Sequence, residues 1–135
     1  MIKEFIIVAI LLGIFDYIWL KFIFANIWSN MINNIQLSLM TLDNRFIIPA
    51  YILMTLSIVV YVLPKIGNKY IIRDSILYGG LLGLIIYGIF DLTNLIVFKK
   101  YLLNVALMDI AWGTFLFSIT TLITKNLLIY LEDII

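Results

Sequence analysis

Gly88-Ile-Phe-Asp-Leu-Thr-Asn-Leu95 lies near the end of a long apolar run, and a relative of it occurs earlier as Gly13-Ile-Phe-Asp-Tyr-Ile-Trp-Leu20. The two octets share Gly, Ile, Phe, Asp and the final Leu. An aspartate inside a hydrophobic segment is costly unless it has a partner or a task. Two of them in matching frames predict two related helices that face a common interior. With four spans, the octets stand on the first and third and run in the same direction, as in a parallel duplication of a two-helix unit. The second and fourth spans match only at Ala50-Tyr51 and Ala111-Trp112, so the duplication rests on one octet.

Composition names the solvent. Of 135 residues 64% are hydrophobic and 13% charged, against about 45–50% and about 25% in a soluble domain. Both departures point to a lipid bilayer as partner. The net charge of +1, with basic residues scattered singly or in pairs, argues against nucleic acid. There is no cysteine and no histidine, so disulfides, thiolate metal sites and histidine acid–base chemistry are absent. Acid–base chemistry would fall to Asp, Glu, Lys or Tyr.

The expected fold is all-α: one polytopic membrane domain over residues 1–135 with four transmembrane helices. The spans are expected at residues 2–24, 46–63, 76–98 and 101–124, each near the ~20 apolar residues a crossing needs. The first apolar run is too long for a signal-peptide core and no small-residue cleavage site follows it, so it reads as a retained helix. Residues 25–45 interleave Asn26, Asn30, Asn33, Asn34 and Gln36 with Ile27, Trp28, Met31, Ile32, Ile35 and Leu39. The three- and four-residue steps predict an amphipathic helix lying at the membrane interface; a polar loop is the alternative. Pro49 opens the second span, and Pro64, Gly67 and Asn68 stop it. Gly79 and Gly83 form a small-x-x-x-small pair, where another helix can approach closely. The very short connection after Lys99-Lys100 makes the third and fourth spans antiparallel neighbours. Four spans put both termini on one side. Five basic residues there against four opposite make that side cytoplasmic, by a narrow margin.

Three acids fall inside spans. Asp16 is five residues before Lys21, Asp91 eight before Lys99, and Asp109 nine after Lys100. At helical rise all three lie on one side of the bilayer, about 8–13 Å below the flanking lysines. Thr93, Asn94 and Asn104 share that level, with Trp19 and Trp112 beside it. No Lys, Arg or His stands among the three acids, and like charges in a low-dielectric site cannot all ionise. Such a group suits cation binding, proton relay or a polar headgroup. It also suits helix packing by hydrogen bonds worth on average about 0.6 kcal/mol each in membranes. The ligand or ion-binding candidates are therefore Asp16, Asp91, Asn94, Asp109, Thr93, Trp19 and Trp112. No catalytic residue, cofactor or metal site is expected: the chain has no phosphate loop, nucleophile elbow or metal-ligand spacing.

Three blocks, Phe15-Asp16-Tyr17-Ile18-Trp19-Leu20, Asp91-Leu92-Thr93-Asn94-Leu95 and Asp109-Ile110-Ala111-Trp112-Gly113, resemble in order and spacing the signature blocks of a family of four-helix membrane proteins. That family is catalogued as domain of unknown function 2177. The resemblance runs from about residue 2 to 124. In the family pattern a small residue follows the Trp-Leu pair, where this chain has Lys21, and a Trp-Pro often stands where it has Tyr101-Leu102. The resemblance implies a four-helix integral membrane protein and implies no activity.

Three functions stay open at this level. The first is a small ion- or solute-binding protein, a transporter or channel subunit, with a homo-oligomer through Gly79 and Gly83 supplying the volume that four helices lack. The second is a non-catalytic interaction or assembly protein whose aspartates only lock helix packing. The third is a lipid-modifying enzyme using carboxylate acid–base catalysis, for which no nucleophile or metal motif is present.

Overall fold

Apolar runs too long for a soluble core become four helices in the computed structural model, which describes residues 1–135: α1, Ile2–Gln36; α2, Asn44–Lys65; α3, Ile71–Val97; and α4, Leu103–Ile134. There is no strand. Each helix is long and apolar enough to cross a membrane. α1 with 35 residues and α4 with 32 extend about 50 Å at helical rise, well beyond the ~30 Å hydrocarbon core. Their ends therefore project past it.

The interior is a narrow seam. Val8 and Leu12 of α1, Ile58, Val59 and Val62 of α2, and Leu116 and Phe117 of α4 form one buried cluster. Outward residues stay apolar too: Ile6, Ile10 and Ile14 recur every fourth position on α1 and are about half exposed. A helix that is apolar on its outer face as well as its inner one has lipid as its surroundings.

α1 does not end near Phe24. A π-helical turn at Leu20–Phe24 carries it into Ala25–Gln36 without a break. No Gly or Pro stands there to stop a helix. The periodicity of this segment is as expected, but its apolar face is covered by protein. Phe24 and Met31 are buried with Tyr101, Val105 and Ala106, and Trp28, Ile32 and Ile35 pack around them. The tail of α1 thus lies over the α3–α4 turn, where Lys100 Nζ donates to the Asn34 carbonyl at 3.4 Å. Only Ile27 and Leu39 are left outward from the predicted apolar set.

The tail stops at Leu37, whose φ of 57° is left-handed. A Cβ in that conformation costs roughly 1–2 kcal/mol, and glycine is the usual solution at a helix C-terminus. Leu37 is exposed, so little packing opposes its removal. Leu37→Gly is expected to raise the thermal midpoint in detergent, with a gain of up to about 1 kcal/mol once the extra chain entropy of glycine is set against the relieved strain. An unchanged or lower midpoint would show that the strain is not felt.

α2 begins at Asn44, two residues earlier than the span expected at 46. Asp43 caps it, its Oδ1 accepting the Arg45 N–H at 3.1 Å, while the Arg45 guanidinium returns to the same carboxylate at 2.7 Å. Pro49 therefore lies in the second turn and removes one backbone donor there. α2 closes through a π-helical turn at Ile58–Val62 and a 3₁₀ turn at Leu63–Lys65.

Gly79 and Gly83 are used inside the chain. A Cβ on Gly79 would lie 2.7 Å from Thr121 Oγ1 and 2.9 Å from the Phe117 carbonyl oxygen. One on Gly83 would strike the Gly113 carbonyl and come within 2.9 Å of Phe117 Cβ. The close approach these glycines permit is between α3 and α4 of one molecule.

Candidate functional site

The octets carry Asp16 and Asp91 into the buried interior of the bundle. Asp16, Asp91 and Asp109 are respectively 8%, 0% and 9% exposed, so each octet aspartate is turned inward, as two matching frames on parallel helices require. Their surroundings differ.

Asp16 is saturated. Its Oδ1 accepts from Trp112 Nε1 at 2.9 Å and its Oδ2 accepts from the Tyr51 hydroxyl. The donors come from Ala50-Tyr51 and Ala111-Trp112, the one short match between the second and fourth spans. Trp112 is held in place by Trp19, stacked on it with ring centres 4.7 Å apart and planes 3° from parallel. Trp19 stacks in turn on Phe24 at 5.4 Å. The Trp19 indole nitrogen is buried with no acceptor.

Asp91 is half satisfied. Its Oδ1 accepts from the Tyr101 hydroxyl at 2.6 Å, and its Oδ2 is buried with no donor in reach. Tyr101 lies in the α3–α4 turn. Burial, then the bond to Asp91, pushes its phenol above the ordinary range, so it remains a donor at any physiological pH. What faces Asp91 is another acid: the Asp91 and Asp109 carboxyls are within hydrogen-bonding reach of each other. Two carboxylates cannot bond to each other unless one carries a proton or a cation stands between them.

Asp109 opens onto a cavity of about 470 Å³ between α2 and α3, walled by Ala50, Leu53, Met54, Ile86, Tyr87 and Phe90. Tyr87 lines this cavity beside Asp109. Its ring is fixed edge-on against Phe117 at 6.2 Å and lies against Gly113, where a Cβ would meet it.

The remaining sequence candidates are peripheral. Asn94 lines a second groove of about 420 Å³ with Trp28, Gln36 and Tyr101, under the tail of α1. Thr93 is exposed, and its hydroxyl donates to the Ile89 carbonyl of its own helix at 2.5 Å. The three aspartates do not converge as one multi-carboxylate metal site; the structure pairs Asp91 with Asp109 and gives Asp16 its own partners. The residues missed from sequence are Tyr51, Tyr87 and Tyr101. Only Tyr51 carried a signal, through its match to Trp112.

A family model, DUF2177, described as a predicted membrane protein, matches residues 1–125. No curated protein and no solved structure matches the chain.

Proposed function

Since the chain belongs to the DUF2177 family of predicted membrane proteins, we propose that it binds, and moves, a small cation or cationic solute at the paired carboxyls of Asp91 and Asp109. One observation carries this reading. Asp91 Oδ2 is fully buried, lacks any donor and faces a second acid. Leaving one carboxylate oxygen buried without a donor is costly, and a proton or a cation on that oxygen would relieve the cost. With both termini cytoplasmic, the site lies in the opposite leaflet.

Exchange of a proton for a cation at the pair predicts pH-dependent flux in proteoliposomes. Asp91→Asn is expected to abolish it, because an amide can neither release a proton nor balance a cation. Thr93→Val is expected to leave it unchanged, since that hydroxyl is bound to its own helix. Normal flux in Asp91→Asn would overturn the proposal.

A second reading applies to Asp16. Both of its oxygens are taken by donors from α2 and α4, which suits a helix lock. On this reading the three intramembrane acids divide into one structural and two ligand-facing groups.

A further inference from the structure

The cavity at Asp109 carries the site's chemistry further, to the class of ligand. It is lined almost wholly by apolar side chains, with Leu53 and Met54 on one wall and Ile86, Tyr87 and Phe90 on the other. Leu53 is 67% exposed and Phe90 48%, and both belong to helix faces that meet lipid. The opening is therefore lateral, towards the bilayer. Within the lining Asp109 is the one charged residue, and no basic side chain accompanies it. A volume of about 470 Å³ is within the ~300–1,000 Å³ of ordinary ligand pockets, which share this pattern of apolar walls and few polar groups.

A hydrated ion entering by this route would lose its water against walls that cannot replace it. An anionic headgroup would meet the Asp109 carboxyl and be repelled. A neutral chain would find walls no different from the lipid it leaves and make no use of the acid. The remaining match is a molecule that is apolar along most of its length and cationic at one end. Its tail passes from lipid to walls as apolar as lipid, at little cost, and its head finds a carboxyl inside a region where no water competes.

We propose that the cleft between α2 and α3 binds a single-chain amphiphile with an amine head, drawn from the bilayer, whose ammonium group pairs with Asp109. This rests on the reading of Asp91 and Asp109 as a ligand site and specifies what enters it.

The test uses the full chain in lipid nanodiscs with a long-chain primary amine bearing a diazirine in its tail, and the matched alcohol and carboxylic acid as companions. After photolysis, the amine is expected to label peptides containing Leu53, Met54, Ile86 or Phe90, and excess dodecylamine to suppress the labelling. The alcohol and the acid are expected to label about tenfold less, a ratio equivalent to ~1.4 kcal/mol. Asp109→Asn is expected to bring the amine down to the level of the alcohol. Leu53→Trp, which fills the mouth without touching the carboxyl, is expected to reduce amine labelling and keeps the proposal testable should Asp109→Asn misfold. Equal labelling by all three probes, or amine labelling unaffected by either variant, would overturn the inference and leave a cleft filled by bulk lipid. Because flux is measured separately, loss of amine selectivity with Asp91-dependent flux intact refutes this inference alone. Selective labelling with flux independent of Asp91 refutes the transport reading instead.

Discussion

Gly83→Ala is expected to destabilise the protein by about 3 kcal/mol, at the upper end of the cost of forcing extra atoms into a packed interior. The added methyl would strike the Gly113 carbonyl and would stand 2.9 Å from both Gly113 C and Phe117 Cβ. All of these belong to backbone or to the root of a side chain, so no rotamer change makes room and α3 must move off α4. Gly113→Ala is expected to cost nearly as much, because its methyl would enter the Tyr87 ring, although a side chain can give way more than a backbone can. The two changes wedge the same interface, so the double variant should be less unstable than the sum. Gly13→Ala is the control. Nothing lies within 4 Å of its added methyl, and alanine favours a helix by roughly 0.5–1 kcal/mol over glycine. Thermal unfolding in one detergent checks all three. A Gly83→Ala midpoint equal to that of Gly13→Ala would mean that α3 and α4 are not packed this closely.

Asp16→Ala is the second large effect. It leaves the Tyr51 hydroxyl and the Trp112 indole N–H without an acceptor. In a soluble core each orphan would cost about 1–3 kcal/mol. In a membrane the unfolded reference also finds partners, and measured pair energies average about 0.6 with a maximum near 1.7 kcal/mol. The membrane scale governs here, so the expected loss is about 2 kcal/mol for the two bonds together. Asp16→Asn keeps one acceptor oxygen and should lose about half of that. A double-mutant cycle of Asp16→Ala with Tyr51→Phe should return a coupling of about 1 kcal/mol. Additive effects would show that the phenol and the carboxyl do not interact, and the lock reading of Asp16 would fail.

Much of this arrangement is readable from the sequence. Counting at 1.5 Å per residue predicts Asp16, Asp91 and Asp109 on one side of the bilayer, because depth depends only on rise. Direction around the helix axis is another matter. A π-helical turn inserts one residue, about 100° of rotation, and three of the four helices contain one: Leu20–Phe24, Ile58–Val62 and Ser75–Gly80. Periodicity carried through such a turn points to the wrong neighbour. Tyr87 and Tyr101 were invisible for a related reason: a lone phenol in an apolar run has no pattern, and only the fold supplies its carboxyl. Gly79 and Gly83 announced a close helix contact correctly. Whether the partner belonged to the same chain depended on Gly113, Phe117 and Thr121, which no local pattern ties to them. The amphipathic stripe from Trp28 to Ile35 was likewise readable, and what covers it was not.

Asp16 also has a history set by the order of synthesis. Its first donor, Tyr51, is made 35 residues after it and its second, Trp112, 96 residues after it. At the ~5–20 residues per second of translation, the acid waits roughly 2–7 seconds for the phenol and about 5–20 seconds for the indole. For that interval the newborn α1 carries an unanchored acid. It must linger beside the insertion machinery or keep the carboxyl near the water interface until its partners arrive. A truncated chain that ends before α4 would keep the phenol but never gain the indole, and would be a natural target for membrane quality control.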